Sequence, residues 1–282
     1  MILGKNTDTV YLSDRLKTEP FFNSNYETLT LILKKNNIPY KLLQSTKDIW
    51  CRDYMPIQKE VNKFIQFRYE PSYLNKSLDI QSNPKEVCND NAIVAEFNNI
   101  NLDGGNVIQW ADRVIISERI FTENPERPDK NELITELEKI LEAEIIIIPQ
   151  INTDFTGHAD GYLRFVSRNT VIGNHREIEH KYWKNALNKV LKNHNIEHID
   201  CPFFIHKEKK HPHHAIGSYM NFLEVQDLIV VPIFEVANNK DAEVFDIFKS
   251  VFHDRKIETL NFNNVGMFGG LLNCSTWPIK TK

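Results

Sequence analysis

The sequence predicts an α/β fold in which five strand-and-helix units repeat and close as one domain spanning residues 1–282. Three observations point there. Five helical stretches are each followed, after a few residues, by a β-rich strand. Those strands begin near residues 39, 92, 144, 196 and 256, a spacing of about 50 to 60 residues, which is in the range of supersecondary repeats. No glycine–serine linker or low-complexity stretch marks a boundary between them. Periodicity alone leaves an ordinary α/β sandwich with a chance spacing open.

The first helix, Ser24 to Lys35, opens on a capping-box pattern of Ser24 and Glu27 and leads to the strand Pro39 to Leu43. A shorter helix near Pro84 to Cys88 leads to Ala92–Ala95. Lys130 to Leu141 leads to Ile145–Ile148, part of the longest apolar run, Ile145 to Pro149. Ile178 to Lys192 leads to Ile196–Asp200, and Asp241 to Phe252 leads to Ile257–Leu260. Further strands at Lys63–Arg68, Val114–Ser117 and Thr170–Gly173 lie between them, so each unit reads as strands, a helix and a strand.

Composition narrows the function. At 282 residues and 41% hydrophobic content, the chain can bury the core of one large domain or two small ones. A net charge of −4 gives no basic face for nucleic acid. No apolar run approaches the roughly 20 residues that span a bilayer, and the first residues form no signal-peptide core. The cysteines, Cys51, Cys88, Cys201 and Cys274, lack CxxC spacing. The expectation is a cytoplasmic protein with free thiols and no membrane partner. Oligomeric state stays open, a homodimer included.

The chemically interesting residues follow the five strands. In order they are Trp50-Cys51-Arg52-Asp53, Asp103-Gly104-Gly105-Asn106, Gly157-His158-Ala159-Asp160, Ser218-Tyr219-Met220-Asn221 and Gly269-Gly270 through Cys274. In a radial repeat, equivalent loops meet at one end, so Asp53, Asp103, His158 and Cys274 are expected to converge. A thiolate is a strong nucleophile once its pKa is lowered, and an imidazole suits acid–base work near neutral pH. Carboxylates beside a thiol oppose its ionisation. They make sense if the substrate is itself a cation, because a carboxylate grips two N–H groups of a planar guanidinium side by side. Held so, the guanidinium carbon is positioned over sulfur.

These five segments, in this order, resemble the agmatine deiminase and bacterial-type peptidylarginine deiminase family of the guanidino-group-modifying superfamily. Trp50 to Asp53 is similar to its Trp-x-Arg-Asp segment and Asp103 to Asn106 to its Glu-Gly-Gly segment. Gly157 to Asp160 is similar to its Gly-His-x-Asp segment, and Ser218 to Phe222 to its Ser-Tyr-x-Asn-Phe strand, followed by a Val-Pro-x-Phe-like stretch at Val231 to Phe234. The resemblance covers nearly the whole chain. It implies a five-bladed α/β propeller of ββαβ repeats. It implies Cys274 as nucleophile, His158 as general acid–base, and Asp53 and Asp160 as guanidinium holders among the catalytic residues. It places Trp50, Asp103 and Asn221 at the substrate. Asp103 stands where the family has Glu, Asn273 stands where the family usually has His before the nucleophile, and Ser275-Thr276-Trp277 follow it.

The implied reaction is hydrolytic deimination of a small cationic guanidino compound, agmatine by default, with no cofactor and no metal. Amidinotransfer shares its first half-reaction. Peptidylarginine as substrate and a non-catalytic guanidine binder are the other readings. Arg52 and Asp53 read blandly as an ion pair. His206, His211, His213 and His214 sit around Lys207 to Lys210 and match no zinc motif, so they read as a solvated loop. No phosphate-cradling glycine pattern is present.

Overall fold

The computed structural model describes residues 1–282, and its fifteen strands form five sheets of three. β1 (Thr9–Ser13) and β2 (Tyr40–Leu43) share a sheet whose third strand comes from the far end of the chain. The next sheet holds β3 (Ile57–Glu60), β4 (Lys63–Arg68) and β5 (Glu96–Asn101). The third holds β6 (Ile108–Trp110), β7 (Arg113–Ser117) and β8 (Glu144–Ile148). The fourth holds β9 (Leu163–Ser167), β10 (Thr170–Asn174) and β11 (Glu197–Cys201). The fifth holds β12 (Leu223–Val225), β13 (Leu228–Ile233) and β14 (Lys256–Asn261). β15 (Trp277–Ile279) then pairs with β1 and completes the first sheet.

Each central strand pairs antiparallel with one neighbour and parallel with the other. Parallel pairing needs a crossover, and five helices supply it: Asn23–Lys35, Pro84–Asp90, Lys130–Leu141, Lys181–Asn193 and Asp241–Val251. Local chemistry explains them. Asp129 accepts the N–H groups of Asn131 and Glu132, and the helix it caps buries Leu133, Leu137 and Leu141 along one stripe. β7 and β1 are buried at every position, as strands covered on both faces must be.

Two boundaries differ from the sequence reading. The strand expected at Ala92–Ala95 forms instead at Glu96–Asn101. Ala92 takes a left-handed φ of 55°, and Ile93 N–H returns to the Cys88 carbonyl, so this stretch finishes the preceding helix. The helix expected from Ile178 starts at Lys181, because Ile178 N–H closes a turn onto the His175 carbonyl.

The five antiparallel partners, β15, β3, β6, β9 and β12, contribute Pro278, Ile57, Gln109, Arg164 and Glu224 to one cavity of about 70 Å³. One strand from each sheet around a shared space fits a pseudo-fivefold arrangement. The links from each sheet to the next, β2 to β3, β5 to β6, β8 to β9, β11 to β12 and β14 to β15, are the segments that carry the reactive residues. No helix is long and apolar enough to cross a membrane.

Candidate active site

The five links bring Asp53, Asp103, His158, Asp160, Asn221 and Cys274 into one buried network. Cys274 Sγ lies 3.1 Å from Asn221 Nδ2 and 3.6 Å from Asp160 Oδ2. Asn221 Oδ1 accepts from the backbone N–H groups of Leu271 and Cys274, which fixes the nucleophile loop. Asn221 was expected among the substrate contacts. In this structure both ends of its amide engage the protein, the nitrogen also donating to Asp160 Oδ2 at 3.0 Å. Asn273 donates to the same oxygen at 2.7 Å.

His158 sits between two carboxylates. Its Nε2 is 2.8 Å from Asp103 Oδ2, and its Nδ1 is 3.6 Å from Asp53 Oδ1. Asp53 Oδ1 accepts the Gly105 N–H at 3.0 Å. That contact requires glycine: a Cβ on residue 105 would stand 2.5 Å from Asp53 Oδ1 and 2.6 Å from His158 Nδ1. Gly270 is constrained likewise, since a Cβ there would meet the Trp50 ring at 2.5 Å and Cys274 Cβ at 3.0 Å. The Trp50 indole therefore packs directly on the backbone beside the thiol. Asp53 uses Oδ1 and Asp160 uses Oδ2 on protein donors; their other carboxylate oxygens meet none.

The electrostatics follow from this crowding. Burial pushes the Cys274 thiol well above its ordinary value, and the charges of Asp160 and Asp53 push it further. The thiol is therefore protonated at neutral pH when nothing cationic is bound. Burial opposes charge on His158, but Asp53 and the hydrogen-bonded Asp103 outweigh it and raise the imidazole to about 10. Burial raises Asp53 to about 8 against the pull of His158. A proton on Asp53 removes part of what holds the proton on His158, so the two titrate as a unit. Asp103, in direct hydrogen bond, is the firmer holder of the imidazolium. Cys51 is fully buried, and burial pushes it up to about 12, which leaves it unreactive.

These shifts predict a pH dependence of stability. Both His158 and Asp53 hold protons more tightly folded than unfolded. The stabilisation from His158 is fully present below its unfolded value of 6.5 and is lost as pH rises through about 10; that from Asp53 is lost as pH rises through about 8. The melting temperature should fall between pH 6.5 and 10, and His158→Gln should flatten the fall. A melting temperature that climbs over this range, or a slope untouched in His158→Gln, contradicts the assignment.

Two residues of the network, Tyr73 and Arg164, had no sequence signal, and Asn273 was marked only as a departure from the family pattern. The Tyr73 hydroxyl donates to Asp103 Oδ2 at 2.8 Å, and its ring lies 5.9 Å from that of His158. Arg164 is brought in by β9. Asn273 replaces a residue type the resemblance would have supplied. Arg52 does not pair with Asp53; its Nε donates to the Asn273 carbonyl at 3.3 Å. Of the four histidines near Lys207 to Lys210, His213 stacks on Phe155 with ring centroids 4.5 Å apart, and His206 lies edge-on to His214 at 5.4 Å.

A family model described as Porphyromonas-type peptidyl-arginine deiminase matches residues 24–279. Among curated proteins, none matches the chain. Among solved structures, a C. jejuni agmatine deiminase with substrate bound superposes with a TM-score of 0.80 at 17% identity, covering 100% of this chain and 96% of that one. An Enterococcus faecalis agmatine deiminase gives 0.75 at 15% identity, with 99% and 94% covered. DDAH from Pseudomonas aeruginosa gives 0.59 at 10% identity, with 96% and 99% covered. At these identities the likeness is one of fold.

Proposed function

The chain belongs to the Porphyromonas-type peptidyl-arginine deiminase family, and from that premise we propose that it converts a guanidino compound to a ureido product and ammonia through a covalent Cys274 intermediate. In this reading residues 1–282 act as one catalytic domain, with the five sheets as blades of an α/β propeller. The observation that carries it is a buried thiol, held by Asn221, beside two carboxylates that each keep an oxygen without a protein donor.

Asp53, which gives up its proton to solvent as the cation enters, and Asp160 take the guanidinium through those oxygens, with Trp50 as the wall above Gly270. The bound cation offsets the carboxylate field that keeps Cys274 protonated, and the thiol loses its proton to solvent as substrate binds. The thiolate attacks the guanidinium carbon, forming a C–S bond. His158 is already an imidazolium. Its Nδ1, the nitrogen not held by Asp103, protonates the departing nitrogen, and ammonia leaves as the C–N bond breaks. An S-alkylthiouronium remains. Neutral His158 then takes a proton from water, the resulting hydroxide attacks the same carbon, and the C–S bond breaks as the adduct's O–H proton passes to sulfur, releasing the ureido product and restoring the Cys274 thiol. Asp103 and Tyr73 orient the imidazole throughout.

Agmatine is the first substrate to assay, because solved structures of this fold include agmatine deiminases. Incubation with agmatine, free arginine and an arginyl peptide should release ammonia and a ureido group in equal amounts from at least one. Ammonia from none of a broader guanidine panel overturns the reading. An amidine passed to an added amine, without ammonia, would redirect it to transfer.

A further inference from the structure

A second polar space lies behind the nucleophile, on the pseudo-fivefold axis. The cavity of about 70 Å³ is lined by Arg52 and Asn273, and by none of Cys274, His158, Asp53 or Asp160. Asn273 forms the wall between the two spaces: its side chain donates to Asp160 while its carbonyl accepts from Arg52. The charged residues lining the cavity are Arg52, Arg164 and Glu224.

The donors in this space outnumber the acceptors. Glu224 is already engaged, with Oε1 3.1 Å from Arg255 Nη2. A guanidinium carries five N–H donors in a rigid fork. Arg52 gives one to the Asn273 carbonyl, and Arg164 gives one to the Phe222 carbonyl at 3.1 Å. The rest of both forks meet no protein acceptor. Arg164 is also held in place by the Phe222 ring, 4.5 Å from its guanidinium carbon. Burial weakens both charges, and for Arg52 the nearby Arg164 adds to it. Arginine nevertheless keeps its proton in proteins. Two positive charges thus line one cavity, each hydrogen-bonded only to a carbonyl, with the charges of Glu224 and Asp160 acting on Arg164 and that of Asp160 on Arg52. Buried charge is tolerated when it is both hydrogen-bonded and paired. The one carboxylate in the lining, Glu224, is shared with Arg255, so positive charge stays in excess around the cavity.

We propose that this axial cavity is a binding site for one small inorganic anion, of the halide or nitrate class, held between Arg52 and Arg164. Size sets the class. A water needs only about 10–15 Å³ of such space, so the cavity takes a small anion together with a few waters and is too small for a nucleotide. The turn at Gly4–Asn6 covers it, with Leu3, Gly4 and Thr7 in its lining and Gly4 packed on the Glu224 carboxylate.

The test uses the whole protein. Thermal unfolding is followed in sodium chloride exchanged against sodium gluconate at constant ionic strength, gluconate being too large for the cavity. The melting temperature should rise saturably, by a few degrees, with the chloride fraction. Crystals grown in sodium bromide should show an anomalous peak between the two guanidinium groups. Arg164→Met should lose the chloride dependence; if that variant does not fold, the bromide position in the unaltered protein still decides. Superimposable chloride and gluconate curves, or bromide found only outside the cavity, overturn the proposal.

Discussion

Cys274→Ser is expected to release no measurable ammonia from any guanidine that the unaltered protein hydrolyses. A hydroxyl ionises far less readily than a thiol and is the weaker nucleophile at neutral pH. The substitution keeps the groups around it: Asn221 can still donate to an oxygen at this position, and the backbone N–H of residue 274 still reaches Asn221 Oδ1. Fold and guanidine binding should therefore survive. An unchanged melting temperature together with lost turnover is the expected pair of results. The other thiols provide the control. Cys51 is fully buried, is pushed up to about 12, and rests its sulfur against the Tyr11 carbonyl. Cys51→Ser should retain substantial activity. Full turnover by Cys274→Ser would remove the mechanism.

Asp53→Asn should cut turnover by at least about a hundredfold, the scale attached to misplacing a reacting group. The amide can keep its oxygen on the Gly105 N–H. Its nitrogen then points donors where the guanidinium N–H groups need an acceptor. It also removes the charge that helps hold the proton on His158. The same change has the opposite effect on the free thiol, because the Asp53 charge is one of the influences that push Cys274 up. Alkylation of Cys274 by neutral iodoacetamide should therefore be at least as fast in Asp53→Asn as in the parent. Loss of turnover with undiminished alkylation distinguishes substrate recognition from simple damage to the nucleophile. Parental turnover in this variant would make Asp53 structural.

The parts of this architecture that local chemistry writes down were legible in the sequence. The Lys130–Leu141 helix announces itself through its apolar stripe, and Ile145–Ile148 through β-branching. β5 was misplaced because Glu-Phe-Asn-Asn-Ile-Asn carries little strand character; its position is set by pairing with β4, which is a tertiary cause. The site divides in the same way. Asp53, His158, Asp160 and Cys274 lie in short segments whose glycines and carboxylates stand out. Tyr73 and Arg164 lie in segments with no such marks, and only the closing of the sheets brings them to Asp103 and to the axis. The two-sided use of Asn221 was also invisible, because an amide's partners cannot be read from its neighbours in sequence.

The pairing of β15 with β1 gives the order of events during synthesis a role in controlling reactivity. Thr9 meets Ile279 across that pair, so the first sheet stays two-stranded on the ribosome until about 270 further residues have been made. Closing so long a loop costs little more free energy than closing one half its length, so the delay is one of time. Two residues separate Cys274 from β15, so the segment that holds its thiol beside Asn221 and Asp160 is anchored by that closing pair. A chain in which β15 has not yet paired with β1 would leave that segment untethered, its thiol open to oxidation, and the pairing of the two ends would both silence that side reactivity and complete the site.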